Sequence, residues 1–89
     1  MSSRTVEIAP KAGLHARPAS KFVEVVQEYE ADIKISDPST EEKPVDAGSM
    51  LAITGLGLKK GEEMEIEAEG SDAEEAIDAL EEVITTPEE

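Results

Sequence analysis

The chain has no cysteine and no tryptophan, and a single phenylalanine and a single tyrosine. Without thiols it forms neither a disulfide nor a thiolate metal site. Without a set of aromatic rings it has no platform for stacking nucleic-acid bases. Basic residues are scarce too, 8 against 22 acids, and the net charge of −14 would repel nucleic acid and anionic membrane surfaces alike. No apolar run approaches the roughly 20 residues that a membrane span requires. Met1-Ser2-Ser3-Arg4 leads into a strand pattern without an apolar signal segment. A soluble, cytoplasmic protein that neither inserts into membranes nor binds nucleic acid is therefore expected. The acids are spread along the chain, which suits a surface in high salt where screening weakens self-repulsion, so a halophilic source is expected.

What is present supports one small domain over residues 1–89. Thr5-Val6-Glu7-Ile8-Ala9 alternates apolar and polar side chains, the mark of a strand with one buried face, and Pro10 ends it. From Ala16 the period becomes helical, with Ala19, Phe22, Val23 and Val26 on one face, and this helix is expected to reach Tyr29. Asp32-Ile33-Lys34-Ile35-Ser36 alternates again. After turn chemistry at residues 37–42, a weak strand over 43–46 closes a hairpin, and Pro44 places that strand at a sheet edge. Ser49 is the N-cap candidate of a short helix over 50–54, with Gly55 and Gly57 as stop signals. The clearest alternation is residues 63–69, with Met64, Ile66 and Ala68 inward. Ser71-Asp72-Ala73-Glu74 reads as a capping box for a last helix whose apolar face is Ala73, Ala76, Ile77, Leu80, Val83 and Ile84, ended by Pro87. The order β-α-β-β-α-β-α with half-apolar strands predicts an α+β fold, helices layered on one face of a mainly antiparallel sheet.

Chemistry concentrates in Ala12-Gly13-Leu14-His15-Ala16-Arg17-Pro18-Ala19, which holds the only histidine. Gly13 makes the backbone permissive before His15, and Pro18 fits a first helical turn, so His15 is expected at a helix N-terminus. The unpaired N–H groups of that turn, at Ala16 and Arg17, would face an anion, and phosphate suits the position best. Charge distribution points the same way. Residues 9–23 and 47–61 contain no Asp or Glu, while the first window carries Lys11, Arg17 and Lys21. We expect one docking face, with a basic or neutral rim around His15 and an apolar patch from Met50, Leu51 and Leu56. Glu62, Glu63, Glu65, Glu67 and Glu69 are expected in a solvated acidic exterior.

Gly13-Leu14-His15-Ala16-Arg17-Pro18-Ala19 resembles the active-site signature of the HPr family, the histidine-containing phosphocarriers of the phosphoenolpyruvate-dependent sugar phosphotransferase system. Ala47-Gly48-Ser49-Met50-Leu51, Gly55-Leu56-Gly57 and Lys60-Gly61-Glu62-Glu63 resemble the family's second motif, which holds its regulatory serine. The resemblance implies an open-faced β-sandwich, a four-stranded antiparallel sheet covered on one face by three helices. It implies that His15 takes a phosphoryl group on Nδ1 from phosphorylated enzyme I and passes it to enzyme IIA of a sugar transporter, with Arg17 steadying the phosphate. No cofactor and no metal are implied, and a monomer is expected. Ser49 becomes a candidate regulatory phosphosite for an HPr kinase, although Gly48 stands where the family commonly has a basic residue. Two other readings stay open: a carrier serving a dihydroxyacetone-kinase subunit, and a regulatory module that binds a partner without turnover.

Overall fold

The computed structural model describes residues 2–9, 16–41 and 43–85; the expectations for Pro10, Lys11, Gly13, His15 and Pro87 lie outside these. Seven elements follow one another: β1 (Ser2–Glu7), α1 (Ala16–Val26), β2 (Asp32–Ser36), β3 (Val45–Asp46), α2 (Met50–Gly55), β4 (Glu63–Glu69) and α3 (Ala73–Thr85). The strands form one antiparallel sheet in the order β1-β4-β2-β3. With a period of two, β4 turns Met64, Ile66 and Ala68 to the helix layer, all buried, and Glu63, Glu65, Glu67 and Glu69 to the open face. The register aligns helix-side residues across strands: Val6 beside Met64, and Ile66 between Arg4 and Ile35.

Phe22 and Ala19 of α1 and Ile77, Leu80 and Ile84 of α3 complete the core. α3 packs on β1 and β4, α1 on α3, and α2 between α1 and β3. This is the open-faced α+β architecture, with its helices on one side of the sheet.

Several local expectations shift. β1 occupies Ser2–Glu7 and not residues 5–9, because its first helix-facing residues, Ser2 and Arg4, are polar and escape an apolar pattern. α1 ends at Val26. Glu28 and Tyr29 continue the chain through tighter bonds from their N–H groups to the carbonyls of Val25 and Val26. β3 is reduced to two residues at the sheet edge, beyond Pro44. Val25 joins Ala19 and Phe22 among the buried residues, while Val23 and Val26 pack at the margin of the core.

The capping box at 71–74 is not formed. Glu74 Oε1 accepts from Ser2 Oγ at 2.9 Å, and its other oxygen lies 3.7 Å from Arg4. Asp72 accepts the N–H groups of Glu30 and Ala31, both at 2.9 Å, and so ties the start of β2 to that of α3. The sequence there offers the right residue types for a local cap, and distant donors take them instead.

Arg4 is the cation of the β1–α3 seam. Its Nη1 donates to Asp78 Oδ1 at 2.6 Å and to Glu81 Oε1 at 2.7 Å. Hydrogen bonding to Asp78, then to Glu81, holds the guanidinium above its ordinary pKa, so it stays charged at any pH the fold meets.

Candidate functional site

α1 begins at Ala16, directly after the segment that carries His15. Within an α-helix the first N–H groups have no carbonyl four residues earlier, and Pro18 has no N–H to leave unpaired. The backbone N–H groups of Ala16 and Arg17 therefore open the helix without a partner inside it. No acid stands in this first turn, so no side chain of the turn itself neutralises the positive end of the helix dipole. Arg17 is exposed there, Lys21 lies exposed one turn on, and among the described residues no carboxylate is ion-paired to either. His15 and Lys11 lie outside the described residues.

α2 brings the second acid-free window against the first, because it packs on α1. Ser49 sits in extended backbone (φ −108°, ψ 114°) and its Oγ accepts the Ala52 N–H at 3.2 Å, which makes it the N-cap of α2. Just before it, Asp46 Oδ1 accepts the Gly48 N–H at 2.8 Å. A Cβ at position 48 would come within 3.3 Å of that same oxygen, so the glycine leaves room for a carboxylate turn. Of the expected apolar patch, Leu51 is 83% exposed and Met50 37%, whereas Leu56 packs against the core. The patch is thus a two-residue ridge, with Leu56 as its footing.

The acids lie elsewhere. Glu63, Glu65, Glu67 and Glu69 line the open face of β4, and Asp78, Glu81 and Glu74 gather around Arg4. Glu62 differs from its neighbours: it precedes the strand and its carboxylate accepts the Lys59 N–H at 2.7 Å. It is exposed, as expected, and nothing in its residue type separates it from the glutamates around it. Among the described residues no group of three or more His, Asp or Glu side chains is gathered to hold a metal, and no helix is long and apolar enough to cross a membrane.

Residues 2–86 match the family described as the PTS HPr component phosphorylation site. The chain belongs to the HPr family. It is 52% identical over 85 residues to the phosphocarrier protein HPr of Haloferax volcanii, covering 96% of this chain and 94% of that one. Phosphocarrier protein NPr of Escherichia coli K12 is 41% identical over 78 residues, 86% of this chain and 83% of NPr. A crystal structure of HPr from Thermoanaerobacter tengcongensis superposes with a TM-score of 0.85 at 40% identity, over 94% of this chain and 91% of that one. The HPr sheet and its three helices are therefore common to this chain and its relatives.

Proposed function

We propose that this HPr-family chain is a cytoplasmic phosphoryl carrier whose acceptor is His15. The observation that carries the reading is the family match across residues 2–86, which runs over the chain's only histidine. Relatives named as phosphocarriers favour this over a module that binds without turnover, and over the dihydroxyacetone-kinase branch. Phosphorylated enzyme I is the donor, and an enzyme IIA component of a sugar transporter is the acceptor. The lone pair of the unprotonated His15 nitrogen forms the N–P bond while the bond from phosphorus to the donor breaks, its electron pair remaining with the donor. Transfer onward repeats the exchange with His15 as the leaving group.

An imidazole has a neutral, nucleophilic form available near neutral pH. The free N–H groups of Ala16 and Arg17 and the forked guanidinium of Arg17 then face the phosphoryl oxygens. Lys11 and Lys21 form a basic rim, and Met50 and Leu51, with Leu56 beneath, form the apolar part of the docking face. Ser49 is read first as an N-cap. Phosphorylated, it would add a dianion beside the Met50–Leu51 ridge and hinder docking. The unit works as one domain and a monomer, with no cofactor or metal, and its acid excess suits high salt.

Incubation with phosphoenolpyruvate and enzyme I tests the reading. The expected product is an acid-labile, alkali-stable phosphate, absent from His15→Ala. A wild-type chain that stays unlabelled while still binding a partner contradicts it.

A further inference from the structure

β4 carries a glutamate at every open-face position, and the register decides what each one meets. Glu65 lies between Thr5 and Ser36, and Glu67 between Ser3 and Lys34. Only the two terminal glutamates face acids: Glu63 stands opposite Glu7 of β1, and Glu69 opposite Asp32 of β2. These four side chains are exposed, and among the described residues no Lys or Arg is ion-paired to any of them. Ile8 donates its N–H to Glu62 O at 2.8 Å, and bonded pairs alternate along the β1–β4 ladder from there. Glu7 therefore meets Glu63 at a non-bonded position, where facing side chains come closest. Lys34 borders Asp32 and Glu69 in the shallow cavity over β2 and β4, so the second pair has a cation beside it.

We propose that these two pairs make the strength of the sheet follow ionic strength. The ends of β4 are held loosely in dilute salt, and firmly once salt screens Glu7 from Glu63 and Asp32 from Glu69. Like charges directly opposite one another weaken an antiparallel pair, and their separation of about 5 Å lies well inside the Debye length of about 10 Å at 0.1 M salt. At 1 M that length is about 3 Å, and the repulsion fades. The net charge of −14 alone would spread the effect over all 22 acids, whereas the register concentrates it at two places. It also runs opposite to the Arg4 network on the helix side, whose attractions salt weakens. The inference stands independently of the carrier reading.

Glu7→Gln, Glu63→Gln, their double variant and Glu69→Gln in the full chain test this. Glu41→Gln, in the exposed loop between β2 and β3, controls for the loss of one charge. Thermal melts by circular dichroism are compared in about 0.1 M and about 1 M sodium chloride. In dilute salt Glu7→Gln and Glu63→Gln should each melt about 3 °C above wild type. The double variant should melt no higher than either, because the repulsion goes with the first carboxylate. Glu69→Gln should gain less, since Lys34 lies beside its pair, and Glu41→Gln should shift by less than about 1 °C. All of these gains should nearly vanish in the concentrated salt. Hydrogen exchange at the Ile8 N–H, next to the Glu7–Glu63 pair, should quicken on dilution in wild type and much less in Glu63→Gln. The proposal is overturned if neither Glu7→Gln nor Glu63→Gln gains in dilute salt, or if their gains simply add. A Glu41→Gln gain as large as theirs overturns it too, since the cause is then net charge. So does a gain that persists undiminished in concentrated salt, which would not be electrostatic.

Discussion

Arg4 of β1 and Asp78 of α3 meet at 2.6 Å, and the same guanidinium nitrogen reaches Glu81 at 2.7 Å. α3 has Glu74, Glu75, Asp78, Glu81 and Glu82 and neither Lys nor Arg. Carboxylates three and four residues apart repel on a helix surface, and Arg4 relieves that repulsion from the neighbouring strand. Arg4→Met is expected to destabilise the fold by about 1 kcal/mol at low ionic strength, since the pairs are largely solvated. The loss should shrink as salt shortens the Debye length to about 3 Å at 1 M. Thermal melts of both proteins across a sodium chloride series check this; a gap that does not change with salt contradicts it.

Gly70 has φ +147°, and a Cβ built there would lie 2.9 Å from Ala31 Cα. The close approach lets the Asp72 carboxylate reach the N–H groups of Glu30 and Ala31. Gly70→Ala combines an unfavourable backbone conformation with a clash against backbone, and should cost about 3 kcal/mol. Asp72→Ala leaves two amides without their acceptor and should cost about 1–2 kcal/mol. Urea unfolding measures both, and hydrogen exchange at Ala31 should quicken in Asp72→Ala.

Asp37 accepts the Ser39 hydroxyl at 2.6 Å and the Ser39 N–H at 2.9 Å. These bonds, the hydroxyl first, hold its carboxyl below the ordinary aspartate value. A pKa lower in the folded state means that the unfolded chain binds more protons. The contribution to stability is full above the ordinary aspartate pKa and is lost as pH falls through the folded value. Ser39→Ala should raise the Asp37 titration midpoint, followed by carbon NMR of its carboxyl. An unmoved midpoint excludes the hydroxyl as the cause.

Arg17 is exposed in the first turn of α1 and bound to no described acid, so its charge is free to meet a phosphoryl group. Arg17→Glu should slow phosphoryl transfer by about 10- to 100-fold, the equivalent of about 1.5–3 kcal/mol. Its stability should stay within about 0.5 kcal/mol of wild type, as for other surface substitutions. Quench-flow transfer rates and parallel melts check both halves; an equal loss of stability would assign Arg17 to the fold.

Leu51 is 83% exposed on α2 with no acid in the surrounding window. Under the docking role proposed for it, Leu51→Glu should raise KM for enzyme I severalfold with little effect on kcat, since docking lies outside the chemical step. Steady-state labelling over a range of enzyme I concentrations separates the two constants.

Much of this molecule could be read from residue order. The alternation at 63–69 predicted β4, its buried face Met64, Ile66 and Ala68, and its acidic outer face, because burial repeats at every second position and each repeat reinforces the last. The face of α3 followed from the same additive logic at the helical period. The start of α1 at Ala16 was legible too, since a helix N-terminus is a local structure and Arg17 and Pro18 belong to its own first turn. Single polar bonds were not legible in this way. Asp72 chose Glu30, 42 residues away, over its own helix, and Glu74 chose Ser2, 72 residues away. Glu62 stays exposed as expected, yet its carboxylate accepts the amide of Lys59, a partner its residue type did not announce. Periodic burial sums many weak preferences along the chain, so the order of residues suffices to reveal it. A lone carboxylate has several suitable donors in its sequence, and only the packing of distant segments decides which one arrives.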